Sequence, residues 1–151
     1  MKKRKGERVL VLIKPHLLLG ELSIYSARHS HEVVVEIINR YLKAGLSLKA
    51  PIRFVKLSKE KVKKLYRQHS GKPFFSELVR DMTKSECVAM IWCGKKAIKK
   101  IRRINGATDP AKAEAGTLRH EYGDRNNLSN NAVHGSENPE QAKKEIKLIF
   151  G

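Results

Sequence analysis

The sequence predicts an α+β sandwich, and three observations carry that expectation. Val9 to Ile13 and Cys87 to Cys93 are unbroken apolar runs of strand length. Val33, Val34, Ile37, Ile38 and Tyr41 repeat at helical spacing, as do Ala97, Ile98, Ile101 and Ile104. The segments follow one another as strand, helix, strand, helix pair, strand, helix, loop, strand, helix. Four strands with helices on one face are the simplest packing of that order.

Each element has its own warrant. Met1 to Gly6 is a basic arm. Val9 to Ile13 reads as a buried strand ended by Lys14-Pro15, because proline cannot donate to a ladder. Gly20 to His31 reads as a loop-like, enlarged connection; its His29-Ser30-His31 is not read as a metal site. The helix through Val33 to Leu42 stops near Gly45. A second strand lies within Leu46 to Leu57, interrupted or edged at Pro51. Ser58 is a candidate N-cap for a helix carrying Val62, Leu65, Tyr66 and His69, which runs to about Gln68. Phe74, Phe75, Leu78, Val79 and Met82 form another amphipathic segment. Cys87 to Cys93 is a central strand. Asn105 to Asn130 shows no strong period and is too long for an idle connection. Asn131 to His134 is a very short strand, and Asn138-Pro139 opens the last helix, with Ala142, Ile146, Ile149 and Phe150 as its apolar stripe. The resulting βαββαβ order fits a ferredoxin-like motif with a four-stranded antiparallel sheet and an inserted loop.

Composition narrows the function classes. A chain of 151 residues suits one domain over residues 1–151. The run Val9 to Ile13 is far too short to cross a bilayer or to form a signal-peptide core, so a soluble cytoplasmic protein with no membrane partner is expected. Cys87 and Cys93 on one strand stand roughly 20 Å apart, too far for a disulfide; free thiols suit a reducing compartment. The 32 Lys and Arg against 15 Asp and Glu give a formal +17, a field that attracts nucleotides and, as an alternative function, nucleic acid. No G-x-x-x-x-G-K-[ST] loop is present to cradle a triphosphate.

Five separated motifs carry a resemblance: Ile13-Lys14-Pro15, Tyr66 with Lys72-Pro73-Phe74-Phe75, Gly106 to Pro110, Gly116 to Arg119, and Asn131 to Ser136. In this order, from Glu7 to Phe150, the chain resembles the nucleoside diphosphate kinase family. The resemblance implies a ferredoxin-like core and a homo-oligomer, a tetramer or hexamer. It implies a ping-pong transfer of the γ-phosphate of ATP or another nucleoside triphosphate through a phosphohistidine at His134. The required Mg²⁺ would be carried by the nucleotide rather than by protein ligands. Lys14, Tyr66, Arg102, Thr108, Arg119 and Asn131 match the phosphate and sugar contacts, Phe74 matches the base-stacking residue, and Leu78 is counted with the nucleotide contacts. Ser136 and Glu145 match the supports of the active histidine. His16 stands where the family usually has Asp, the stretch from Arg119 to His134 is longer by a couple of residues, and Glu137-Asn138 replaces Asp-Ser. The alternative is a nucleotide- or nucleic-acid-binding module on the same fold with little or no transfer.

The chemistry suits these residue types. Phosphoryl transfer needs positioning and charge stabilisation more than covalent help. A neutral imidazole, with an unperturbed pKa of about 6.5, is a competent nucleophile when its other nitrogen is hydrogen-bonded. Glu145 sits beside the apolar stripe of the last helix and is placed to orient it. Arg102 and Arg119 suit bidentate grips on phosphate, and Lys14 supplies a compact charge. Stacking on Phe74 would tolerate any base.

Overall fold

A computed structural model describes residues 6–18 and 27–151, with the side chains of residues 27–30 left aside. The fold is α+β. Its strands are β1 (Glu7–Ile13), β2 (Ser47–Leu48), β3 (Arg53–Val55), β4 (Cys87–Gly94) and β5 (Val133–Gly135). Its helices, among the described residues, are α1 (Ala27–Lys43), α2 (Lys59–Leu65), α3 (Phe75–Thr83), α4 (Ala97–Asn105), α5 (Leu118–Tyr122) and α6 (Pro139–Phe150).

The sheet runs β2-β4-β1-β5, every pair antiparallel, and β3 also pairs with β4. Ser47 faces Cys93 and Arg53 faces Ala89, so β2 and β3 are two pieces of one edge strand. The break spans Pro51, as the sequence suggests. Four strand rows therefore remain, in the ferredoxin-like arrangement.

The helices do not lie on one face, as expected from the element order; they cover both. Val9, Val11 and Ile13 of β1 join Val88, Met90 and Trp92 of β4 against α1 and α4. Leu10 and Leu12 join Cys87 and Ala89 against α2, α3 and α6. The reason is in the strands themselves. Val9 through Ile13 are all inaccessible to solvent, and a strand apolar at every position must be covered on both sides. Trp92 is fully buried with Tyr41 edge-on at 5.2 Å between ring centroids, and the Tyr41 hydroxyl donates to Asn105 Oδ1 at 2.5 Å.

Three boundaries also move. The first helix starts at Ala27, so the enlarged connection is shorter than Gly20 to His31; residues 20–26, like residues 1–5 of the basic arm, lie outside the described residues. The helix capped by Ser58, whose hydroxyl accepts the Lys61 amide at 3.2 Å, ends at Leu65 and tightens into a 3₁₀ turn over Arg67–His69. The aperiodic stretch before Asn131 contains α5, a helix of five residues, too short for a hydrophobic period to show.

Burial on both faces makes a paired test. Leu12→Ala and Ile13→Ala, neighbours on opposite faces of β1, should each lower the unfolding free energy by about 2–5 kcal/mol. Urea denaturation of the two variants checks this; one near-neutral variant would mean an uncovered face.

Candidate active site

His134 lies in β5, opposite Leu12 of β1. Its Nε2 stands 3.1 and 3.0 Å from the two carboxylate oxygens of Glu145. A carboxylate only accepts, so Nε2 carries the proton and Nδ1 keeps its lone pair. Glu145 is buried on α6, whose start is fixed by Pro139 in the first turn and by Asn138, whose side chain accepts the Gln141 amide at 2.8 Å. The Tyr66 ring meets the imidazole edge-on at 5.4 Å. Burial first, and the Glu145 charge second, hold the Tyr66 phenol well above its ordinary range, so it stays protonated.

A cleft of about 70 Å³ opens at His134, lined by Lys14, Tyr66, His69, Thr108, Arg119 and Asn131 among others. It adjoins a larger cavity of about 520 Å³, lined by Arg102, Arg103, Lys112 and Thr117 and sharing Thr108, Arg119, Gly135 and Glu137 with the cleft. The structure thus brings His134, Glu145, Lys14, Tyr66, Thr108, Arg119 and Asn131 together, with the exposed Arg102 one cavity further out. Phe74, half-buried, sits at the rim with its ring 5.4 Å from His69 and 5.8 Å from the Lys72 ammonium.

Local chain geometry sets these positions. Lys14 is buried where β1 ends. Its backbone N–H donates to Ala132 O at 2.9 Å, and its ammonium donates to Ser129 O at 2.9 Å. Burial lowers its pKa to about 7, Arg119 adds to the lowering and Asp81 opposes it. His16 Nε2 accepts the Ala132 N–H at 2.9 Å. Burial, then the Lys14 charge, brings the His16 imidazole down to about 4, so it is a neutral acceptor at pH 7. Both atoms of the kinked Ala132 residue are therefore held, and the kink is real: Ala132 has φ +76°, a conformation that non-glycine residues rarely adopt. Asn131 Nδ2 donates to Thr108 O at 2.9 Å, while its buried Oδ1 has no partner in the structure. Gly106 must be glycine, since its φ is +86° and a Cβ would meet Thr117 Oγ1 at 2.5 Å.

Some residues take places the motifs do not suggest. Arg119 spends its fork on backbone, donating to Gly106 O at 2.7 Å and Val133 O at 2.9 Å. It ties the Gly106 loop to β5 while facing both cavities. Ser136 does not bond His134 or Glu145. Its buried hydroxyl accepts the Leu10 N–H at 3.0 Å, and its N–H donates to Leu10 O at 3.1 Å, continuing the β1–β5 ladder. Leu78 is packed in the core with α2 and α6 and lines neither the cleft nor the adjoining cavity. Sequence reasoning passed over Asp81 and gave His16 no task. Asp81 had one signal, a lone acid beside Leu78, Val79 and Met82 on an apolar helix face. Among the described residues no cluster of three His, Cys, Asp or Glu side chains is arranged to hold a metal ion.

The family model described as Nucleoside diphosphate kinase matches residues 7–151. The nucleoside diphosphate kinase of Persephonella marina is 41% identical over 144 residues, covering 95% of this chain and 93% of that protein. That of Staphylothermus marinus is 40% identical over 144 residues, covering 95% and 92%. Among solved structures, the apo enzyme of Encephalitozoon cuniculi superposes with TM-score 0.83 at 35% identity, covering 96% of this chain and 89% of that one. The Halobacterium salinarum enzyme in complex with CDP gives 0.81 at 32%, covering 96% and 88%.

The Ser136 latch is separable from the chemistry. Ser136→Ala should lower the unfolding free energy by about 1–3 kcal/mol, the cost of a stranded buried N–H. Urea unfolding reads this directly, and an unchanged midpoint would mean that Leu10 finds another acceptor.

Proposed function

The chain belongs to the nucleoside diphosphate kinase family, and from that premise we propose that His134 takes the γ-phosphate of a nucleoside triphosphate and returns it to a nucleoside diphosphate. The observation that carries this assignment is the Glu145 carboxylate on Nε2, which leaves Nδ1 as the nucleophile beside a cation-lined cleft. In the first half-reaction the Nδ1 lone pair forms a bond to the γ-phosphorus. The bond from that phosphorus to the β–γ bridging oxygen breaks, and the diphosphate leaves with the electron pair. The imidazole gains positive charge, which strengthens its Nε2–H bond to the Glu145 carboxylate. In the second half-reaction a terminal oxygen of another diphosphate displaces Nδ1 from phosphorus.

The remaining motif residues position the substrate. Lys14 and Arg119 face the cleft, Arg102 faces the outer cavity, and both cavities share Thr108, so the triphosphate would run outward from His134. Asn131 has a free buried oxygen for a sugar hydroxyl, and Phe74 offers a ring face at the rim. Tyr66 keeps the imidazole upright. The cleft lining includes the Glu137 carboxylate and the His69 and His134 imidazoles, but among the described residues no three such groups converge as a metal site needs, so Mg²⁺ would arrive on the phosphate oxygens of the substrate, where it would offset their charge.

The partners follow from the surface. Val35 and Leu42 of α1 are 56% and 48% exposed, with half-buried Ile38 between them at helical spacing. This stripe supports a homo-oligomer, a tetramer or hexamer. The +17 charge supports salt-dependent association with nucleic acid as a secondary property. Among the described residues no helix is long and apolar enough to cross a membrane. Cys87 and Cys93 are buried free thiols, which suits a single catalytic unit working in a reducing cytoplasm.

Incubation with γ-labelled ATP and Mg²⁺ should yield an acid-labile phosphoenzyme in the wild type and none in His134→Ala; label persisting in that variant would sink the assignment. Glu145→Gln should still form it, about 10- to 100-fold more slowly, as expected when a charge-assisted bond worth about 1.5–3 kcal/mol is weakened. For assembly, light scattering should give a particle several times the 17.2 kDa chain mass, shifting toward monomer in Val35→Glu with Leu42→Glu.

A further inference from the structure

Asp81 is a buried carboxylate on α3 with no part in the transfer. A charge is costly to bury unless it is partnered, so its partners identify its task. Its Oδ2 accepts from the Ser129 hydroxyl and, at 3.1 Å, from Asn127 Nδ2. Its Oδ1 has only distant cations, Lys84 Nζ and Arg80 Nε, each at 3.9 Å. The short bonds all go to the turn before Asn131. That turn is closed on itself as well: Asn127 Oδ1 accepts the Ser129 N–H at 3.1 Å and the Ser129 hydroxyl lies 2.7 Å away. The carbonyl of the same Ser129 receives the Lys14 ammonium at 2.9 Å.

We infer that Asp81 is a positioning residue: through the Ser129 hydroxyl it holds the Ser129 carbonyl on the Lys14 ammonium, and so sets where the cation of the cleft stands. Asp81 also acts through space. Of the charges named around Lys14, Arg119 opposes its ammonium and Asp81 favours it. His16, Tyr66, His69, His134 and Glu137 are the other titratable groups about Lys14, with the His16 and His69 imidazoles lowered in part by its charge. The inference rests on the reading of Lys14 as a phosphate contact for its catalytic consequence, though not for the linkage itself.

Three variants, Asp81→Asn, Ser129→Ala and Lys14→Arg, test it. Asp81→Asn keeps the shape and drops the charge, Ser129→Ala removes the link, and Lys14→Arg assigns the signal. The first readout is the Lys14 side-chain titration by isotope-edited NMR on the full chain. The second is KM and kcat for ATP between pH 6 and 9. Asp81→Asn should move the Lys14 midpoint downward, because the favouring charge is gone. The pH at which KM begins to climb should move with it, raising KM by about 3- to 10-fold above the midpoint, the change in protonated fraction for a shift of roughly half to one unit. The kcat at pH 6 should stay within about twofold. Ser129→Ala should raise KM with a smaller titration shift. A folded Asp81→Asn whose Lys14 titration matches wild type overturns the inference. A shifted titration with an unmoved KM profile keeps the linkage and rejects Lys14 as a phosphate contact. If Asp81→Asn does not fold, Ser129→Ala decides, and wild-type titration and KM there overturn the inference.

Discussion

β1 is buried on both faces and bonded along both edges, and the short strand that bears His134 hangs from it. Along one edge it pairs with β4 from Glu7 to Ile13, and along the other with β5 from Val11 to Ile13. A short strand such as β5 has little stability of its own. It is fixed because Leu10 donates its N–H to the Ser136 hydroxyl and accepts the Ser136 N–H, and because the N–H of Lys14, one step past the strand end, donates to the Ala132 carbonyl. The histidine is thus carried on three residues whose position is borrowed from a strand of the core. The catalytic geometry inherits core rigidity without a long strand of its own, as sites on rigid elements require.

The electrostatics follow the same economy. Three charged side chains about the imidazole are tied to something other than substrate: Glu145 to Nε2, Arg119 to two carbonyls, Lys14 to Ser129. Preformed bonds of this kind spare the site the reorganisation that flexible surface cations would need when phosphate arrives. Burial works against Lys14 holding its proton, and Arg119 works in the same direction. An incoming phosphate, being negative, would favour the charged form of both.

Much of this was legible in the sequence because it depends on local pattern. Continuous apolar runs marked β1 and β4, Pro51 marked the break in the edge strand, and Asn138-Pro139 marked the start of α6. His134 with Glu145 was legible through motif spacing and the helix stripe. What escaped depends on long-range pairing. Ser136 reads as a helper of the histidine, yet its hydroxyl meets a backbone 126 residues away. Arg119 reads as a phosphate fork, and the partners that occupy it are carbonyls with no side-chain signature. Leu78 shares its face with Val79 and Met82, so its spacing could not tell a cleft wall from core. The covering of both sheet faces was implied by Val9 to Ile13, but the order of elements alone does not say on which side each helix returns.

The chain's single tryptophan, Trp92, lies fully buried against Tyr41 in the middle of β4, and its indole N–H has no hydrogen-bond partner in the structure. It lines neither the His134 cleft nor the adjoining cavity. Its emission is therefore a natural gauge of the α1–α4 side of the core, blue-shifted while that side is dry. Tryptophan emission, excited selectively, will follow melting of the core.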